Sequence, residues 1–281
     1  MRIPVLTYHS MAVHGNDYRG NDHVAFASDL RTIASLGLRI VGLDDVVRSH
    51  HEAEHSASSR EVDRVVAITF DDGSDFDARD LPHPTCGPQR SMLDVMRDFR
   101  AAIGPGAQPG LHATSFVIAS PEARSILDRT CMIGRNWWRD DWWQSAIATG
   151  LLGIGNHSWT HNHPSLPPEL RAAGGAGGSF RDVASFDVAE AEVAQAATYI
   201  RAQADNPDAS LFAYPYGDAS DYLIREYIPV HGERIGVRAA FTCDARPVTE
   251  AASRWALPRY VCGQDWRSPE DLVALLRDAG G

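Results

Sequence analysis

The sequence predicts an α/β fold closed, or nearly closed, into a barrel, and two observations predict it. Seven short apolar runs alternate with seven stretches of helical pattern, which is how a parallel sheet wrapped by helices reads in sequence. No internal repeat or linker divides the 281 residues into halves with separate cores, so residues 1–281 read as a single domain.

In chain order, the first strand is expected over Ile3–Thr7 and the first helix over Phe26–Ser35. A second short strand, Leu38–Val41, precedes His50–Ser59, a polar His/Ser/Ala-rich stretch. Its histidines His50, His51 and His55 are read as part of an exposed loop without fixed geometry, not as a metal site. Strand Val65–Thr69 is followed by helix Ser91–Ala101, strand Ala113–Val117 by helices Pro121–Thr130 and Asp141–Ala148. After strand Leu152–Ile154 comes a glycine-rich insertion, Ala172–Ser179. The alanine-rich stretch that ends at Gln203 keeps Val188, Ala191, Val193 and Ala196 near a helical repeat, so it is expected to cover the sheet and to be architecture rather than chemistry. Strand Leu211–Tyr214, helix Asp221–Ile228, strand Ala239–Thr242 and helix Pro269–Asp278 complete the order.

Composition removes several functions. All 26 basic residues are arginine, so lysine Schiff-base chemistry and the phosphate-loop lysine are both excluded. The 37 acidic residues leave a net charge of −11, which argues against a nucleic-acid partner because such binding needs positive charge to displace counterions. No apolar run approaches the roughly 20 residues that cross a bilayer. The run Ile3–Leu6 is also too short for an export signal, so a cytoplasmic location without a membrane span is expected. Cys86, Cys131, Cys243 and Cys262 form no Cys-x-x-Cys pair and are expected as reduced, buried thiols.

Three motifs each follow an apolar run directly, where the carboxyl ends of parallel strands hold reactive groups. The first is Thr69-Phe70-Asp71-Asp72-Gly73. Two adjacent carboxylates repel unless a cation sits beside them, and Gly73 permits the sharp turn that lets both face one cleft. The second is His157-Ser158-Trp159-Thr160-His161, whose histidines stand one helical turn apart and can share a metal. Two neutral imidazoles and one carboxylate, here Asp72, make a catalytic metal set with an open position, suited to zinc, cobalt, nickel or iron. The third is Tyr214-Pro215-Tyr216-Gly217, able to present a backbone N–H to an oxyanion and an aromatic face to a sugar ring.

In this order the motifs resemble those of the polysaccharide deacetylases, the NodB-homology or carbohydrate esterase 4 family, from about Val65 to Gly217. A fainter likeness lies in Leu257-Pro258-Arg259 and in Pro4-Val5-Leu6-Thr7-Tyr8-His9-Ser10. The resemblance implies a distorted (β/α) barrel of about seven strands and a hydrolase that removes acetyl groups from an N-acetylated sugar, oligosaccharide or polysaccharide by metal-activated water. It implies a divalent cofactor, expected to be zinc, held by Asp72, His157 and His161, with Asp71 as catalytic base and the Tyr216 N–H as oxyanion donor. An N-acetylated carbohydrate is then the expected partner.

Two departures from the family pattern matter. Where many members carry an arginine that steadies the base, this chain has Ala213, and Arg259 is the candidate substitute. No histidine follows His231, so the usual late general acid is missing. A subset acting on β-linked poly-N-acetylglucosamine is similar to a circular permutation with a Tyr-His near the start of the barrel, and His9 takes the acid role on that basis. Asp75 and Asp77 read either as sugar-hydroxyl ligands or as a solvated acidic loop, and His163 either as support for a ligand or as packing beside Pro164. Four tryptophans, Trp137, Trp138, Trp142 and Trp143, are read as a substrate wall. The alternatives to a sugar deacetylase are hydrolysis of a non-sugar amide or cyclic imide, and a non-catalytic carbohydrate-binding protein.

Overall fold

The computed structural model describes residues 1–55, 64–172 and 178–280. Eight strands lie parallel in one sheet: β1 (Val5–Tyr8), β2 (Arg39–Val41), β3 (Val65–Phe70), β4 (Ala113–Val117), β5 (Leu152–Asn156), β6 (Leu211–Ala213), β7 (Ala239–Phe241) and β8 (Tyr260–Val261). The spatial order is β7-β6-β5-β4-β3-β1-β8, and β2 pairs with the first half of β3, from Val65 to Ala67. Just before β8, Leu257 bridges Phe241 of β7, while Tyr260 and Val261 pair with Leu6 and Thr7 of β1. Seven parallel strands on this path curl into a distorted barrel, as the sequence predicts.

Alternation along each strand sorts the core into two sides. Val5, Val65, Ala67, Phe116, Leu211, Ala213, Ala239, Phe241 and Leu257 come from all around the sheet and form one cluster, the barrel interior. The intervening residues Leu6, Tyr8, Val66, Ile68 and Phe70 pack outward, against α1 (Asp22–Ser35), α3 (Met92–Ile103) and α9 (Pro269–Gly280). This parity decides the site. Continuing it past the strand ends puts His9, Asp71, His157 and Cys243 in register with the interior-facing positions.

The histidine-rich stretch differs from its expectation as a loop. α2 (Leu43–His55) is helical through His50 and His51. Leu43, Val46, Val47 and His50 are buried at helical spacing, and His50 Nε2 lies 2.9 Å from the Ala252 carbonyl. Residues 56–59 of that stretch, and 173–177 of the glycine-rich insertion, lie outside the described residues. Strand β1 starts after Pro4, which cannot donate to a ladder, and Arg2–Ile3 pairs instead with Val248–Thr249. Strand β8 escaped the sequence reading because only two of its residues pair.

Around the barrel stand α4 (Pro121–Cys131), α5 (Trp143–Ile147), and a long helix made of α6 (Phe186–Ala189), a π turn (Glu190–Ala194) and α7 (Gln195–Gln203). Helix α8 (Ile228–Ile235) continues past the expected stop at Ile228. A π turn at Leu223–Tyr227 precedes Pro229, which has no N–H to give and needs room for its ring. No helix among the described residues is long and apolar enough to cross a membrane.

Candidate active site

The three sequence motifs meet at the carboxyl ends of β3, β5 and β6. Asp72 Oδ1 lies 3.6 Å from His157 Nε2 and 3.6 Å from His161 Nε2. One ligand atom from each of the three falls within 4.8 Å of the others. A separation of 3.6 Å is too long for a hydrogen bond. It is close to the roughly 3.4 Å between two donors that each sit ~2.1 Å from one ion in tetrahedral geometry. His157 Nδ1 is 2.9 Å from the Ala213 carbonyl, which places the proton on Nδ1 and leaves Nε2 a lone pair. The donor set therefore fits a divalent metal. His161 Nδ1 is buried with no partner among the described residues.

Both imidazoles are buried, and burial pushes their pKa values down, that of His161 well below its ordinary value. They stay neutral, as ligands must be. The turn that carries Asp72 is left-handed at Asp72 (φ 76°) and at Gly73 (φ 74°). A Cβ on Gly73 would come within 2.5 Å of the Val117 side chain, so glycine is required there. The histidine loop is left-handed at Ser158, His161 and Asn162, and Tyr216 has φ 60°. Non-glycine residues in this region cost ~1–3 kcal/mol each and persist where surrounding bonds over-determine them. Here Ser158 N–H donates to Asn156 Oδ1 at 2.8 Å and His161 N–H to Ser158 Oγ at 2.8 Å.

Asp71 stands beside this cluster, buried, and its two oxygens accept from Arg259 Nη1 and Nη2 at 2.7 and 2.8 Å. Arg259 is fully buried, also donates from Nη1 to Thr69 Oγ1 at 3.1 Å, and lies over the Phe116 ring. Burial raises the Asp71 pKa, but the guanidinium outweighs it and holds the carboxyl well below the usual range. The arginine that pairs with Asp71 thus comes from the segment before β8, and not from the strand that ends at Ala213. His9 follows β1 directly, its N–H donating to Asp22 Oδ2 at 2.7 Å, and its ring lies within electrostatic reach of Asp71 and His161. In the third motif, Gly217 N–H and Asp218 N–H close the turn onto Tyr214 O and Pro215 O, so the Tyr216 N–H is not used in it. The Tyr216 ring is half exposed and meets His161 edge-on at 4.4 Å.

Several neighbouring residues fall elsewhere than expected. Trp138, Trp142 and Trp143 are core residues, 5%, 1% and 0% exposed, so these three form no substrate wall, and of the four only Trp137, edge-on to Phe76, is partly exposed. Trp138 Nε1 instead donates to the Asp72 carbonyl at 2.8 Å and supports the left-handed turn. Asp75 and Asp77 are fully buried, which fits neither a solvated loop nor a contact with sugar hydroxyls: Asp75 pairs with Arg79 and Arg139, and Asp77 accepts from Ser115 Oγ at 2.6 Å. Burial first, then the charges of Asp72 and Asp71, push the Asp77 pKa up to about 7. His163 Nδ1 accepts the Ser165 N–H at 3.1 Å, and its ring packs 5.8 Å from the ring of His161, which fits the reading of His163 as support for that imidazole. All four cysteines are free, but only Cys262 is buried, and Cys131 is exposed. The sequence reading also missed Glu192, a fully buried acid that hydrogen-bonds the histidine loop. Its one signal was an acid among the alanines of a covering helix.

Residues 58–230 match the polysaccharide deacetylase family, and the chain belongs to that family of hydrolases. No curated protein matches the sequence. Among solved structures, the fold is similar to the Streptococcus pyogenes deacetylase PplD in complex with acetate, with TM-score 0.60, 16% identity and 98% of each chain covered. It is similar to IcaB from Ammonifex degensii, with TM-score 0.58, 18% identity, and 98% of this chain and 97% of that one covered. A third likeness is to the BpsB deacetylase domain from Bordetella bronchiseptica, with TM-score 0.54, 16% identity, and 92% and 95% covered.

Proposed function

We propose that this protein is a metal-dependent deacetylase that hydrolyses acetyl groups on an N-acetylated sugar, oligosaccharide or polysaccharide. The observation that carries the reading is the convergence of Asp72, His157 and His161 within 4.8 Å, beside a carboxylate that Arg259 keeps ionised. A divalent metal held by those three residues, zinc by first choice, would polarise the acyl carbonyl and lower the pKa of water. Asp71 takes the proton of the attacking water. A carboxylate has about four acceptor positions, and Arg259 uses two, so Asp71 retains capacity for that proton. The Tyr216 N–H donates to the developing oxyanion, a contact worth roughly 3 kcal/mol where such donors have been removed. His9 delivers a proton to the departing amine, which leaves poorly as an anion.

With Trp138, Trp142 and Trp143 in the core, the preference for a sugar rests on the family and on the exposed Tyr216 ring, whose face suits the C–H side of a pyranose. The test is acetate release from N-acetylglucosamine oligomers and small acetylated sugars, with and without chelator. Release that a chelator abolishes is expected. Chelator-insensitive release would overturn the metal assignment. No release from any sugar, with turnover of a small amide or cyclic imide, would move the substrate outside carbohydrates.

A further inference from the structure

The long helix over α6 and α7 breaks its regular ladder where it passes the histidine loop. In the π turn Glu190–Ala194, the Gln195 N–H reaches back to Glu190 O, one residue further than in an α-helix. Two successive carbonyls there bond outside the helix: Glu192 O accepts the Trp159 N–H at 2.8 Å and Val193 O accepts Asn156 Nδ2 at 3.1 Å. The Glu192 side chain, 0% exposed, accepts Thr160 N–H on Oε2 at 2.9 Å and Thr160 Oγ1–H on Oε1 at 2.5 Å. Thr160 lies between the two histidines and also accepts the Asn162 N–H on Oγ1 at 3.2 Å. The left-handed residues Ser158, His161 and Asn162 flank it on both sides. A buried carboxylate under a strained loop, reached through a deformed helix turn, is a costly arrangement for covering a sheet alone.

We propose that Glu192 is a positioning residue: through Thr160 it sets the separation and aim of His157 and His161 toward a shared metal. This rests on the metal reading given above. The function is geometric, so glutamine, which can accept from the Thr160 N–H and donate to its hydroxyl, preserves the clamp, whereas alanine and leucine do not.

The experiment measures zinc affinity by competition with a chromophoric chelator, and the thermal midpoint of the metal-free protein, for wild type, Glu192→Ala, Glu192→Gln, Thr160→Val and His157→Ala. Glu192→Ala is expected to weaken zinc about 10–100-fold, the range for lost support of metal ligands, with Glu192→Gln within about threefold of wild type. Thr160→Val removes both hydroxyl bonds, to Glu192 Oε1 and from the Asn162 N–H, with little change of volume, so it tests the clamp even if Glu192→Ala fails to fold. It is expected to weaken zinc several-fold while the metal-free midpoint moves little. Wild-type zinc affinity in folded Thr160→Val and Glu192→Ala, with binding lost in His157→Ala, would overturn the clamp and spare the metal site. Unchanged affinity in His157→Ala would remove both.

Discussion

Burial raises the pKa of Asp71 and the paired contact with Arg259 lowers it, and the net effect is downward. A carboxylate so held is ionised at neutral pH, so under the proposed mechanism replacing it removes a proton acceptor without removing a ligand. Asp71→Asn is expected to keep its metal and lose about 10²-fold or more in turnover, the lower range for general bases, whereas His157→Ala loses metal and turnover together. Metal analysis of purified protein beside the acetate assay checks both. Asp77 shows the opposite sign. Its folded pKa near 7 lies above its unfolded value, so its contribution to stability is full below about pH 4 and is lost as pH rises through 7. Asp77→Asn removes that loss: at pH 8 metal-free protein should gain a few kcal/mol in urea unfolding, and at pH 4 little or nothing. Equal gains at both values would show that Asp77 is not the titrating group.

At the scale of elements, the turns carry more constraint than the strands they follow. Gly73→Ala forces a Cβ against the Val117 side chain and a left-handed alanine into the turn that holds Asp72. Destabilisation of ~2–4 kcal/mol is expected, from the positive φ together with overpacking, with metal affinity falling in step because Asp72 moves with the turn. Thermal unfolding and chelator competition on one preparation check it. The turns after β3, β5 and β6 were legible in the sequence because each motif is contiguous and follows an apolar run directly. Glu192 was not legible, since its partner Thr160 lies 32 residues away and a helical repeat does not say which acid faces inward. The tryptophans misled for a related reason: composition counts aromatic rings, and only packing decides that Trp142 and Trp143 close the core. Helix α2 was hidden by its polar content, although its buried positions Leu43, Val46, Val47 and His50 keep helical spacing.

At the scale of the whole molecule, one ion pair ties the barrel's last segment to its centre. Leu257 bridges β7, Tyr260 and Val261 pair with β1, and between them Arg259 reaches inward to Asp71 and Thr69 at the end of β3. Asp71 and Arg259 are 188 positions apart in the chain, so the contact forms only when the ring of strands does. Removing one partner of a buried pair leaves the other charged and uncompensated, at a cost of about 3–5 kcal/mol. Arg259→Met should therefore be strongly destabilised, and its pH dependence should reverse. In wild type the depressed Asp71 pKa contributes stability above about pH 4 that is lost on acidification. Without the arginine, burial raises that pKa, and stability falls as pH increases through it. Adding Asp71→Asn to Arg259→Met removes the orphaned charge and should restore most of the lost stability, because a neutral pair of similar volume is often as stable as the ion pair. It should restore none of the activity. Urea unfolding of the three variants at pH 5 and pH 8 decides the matter: a single Arg259→Met as stable as wild type at both values would mean that the pair neither closes the barrel nor keeps Asp71 ionised.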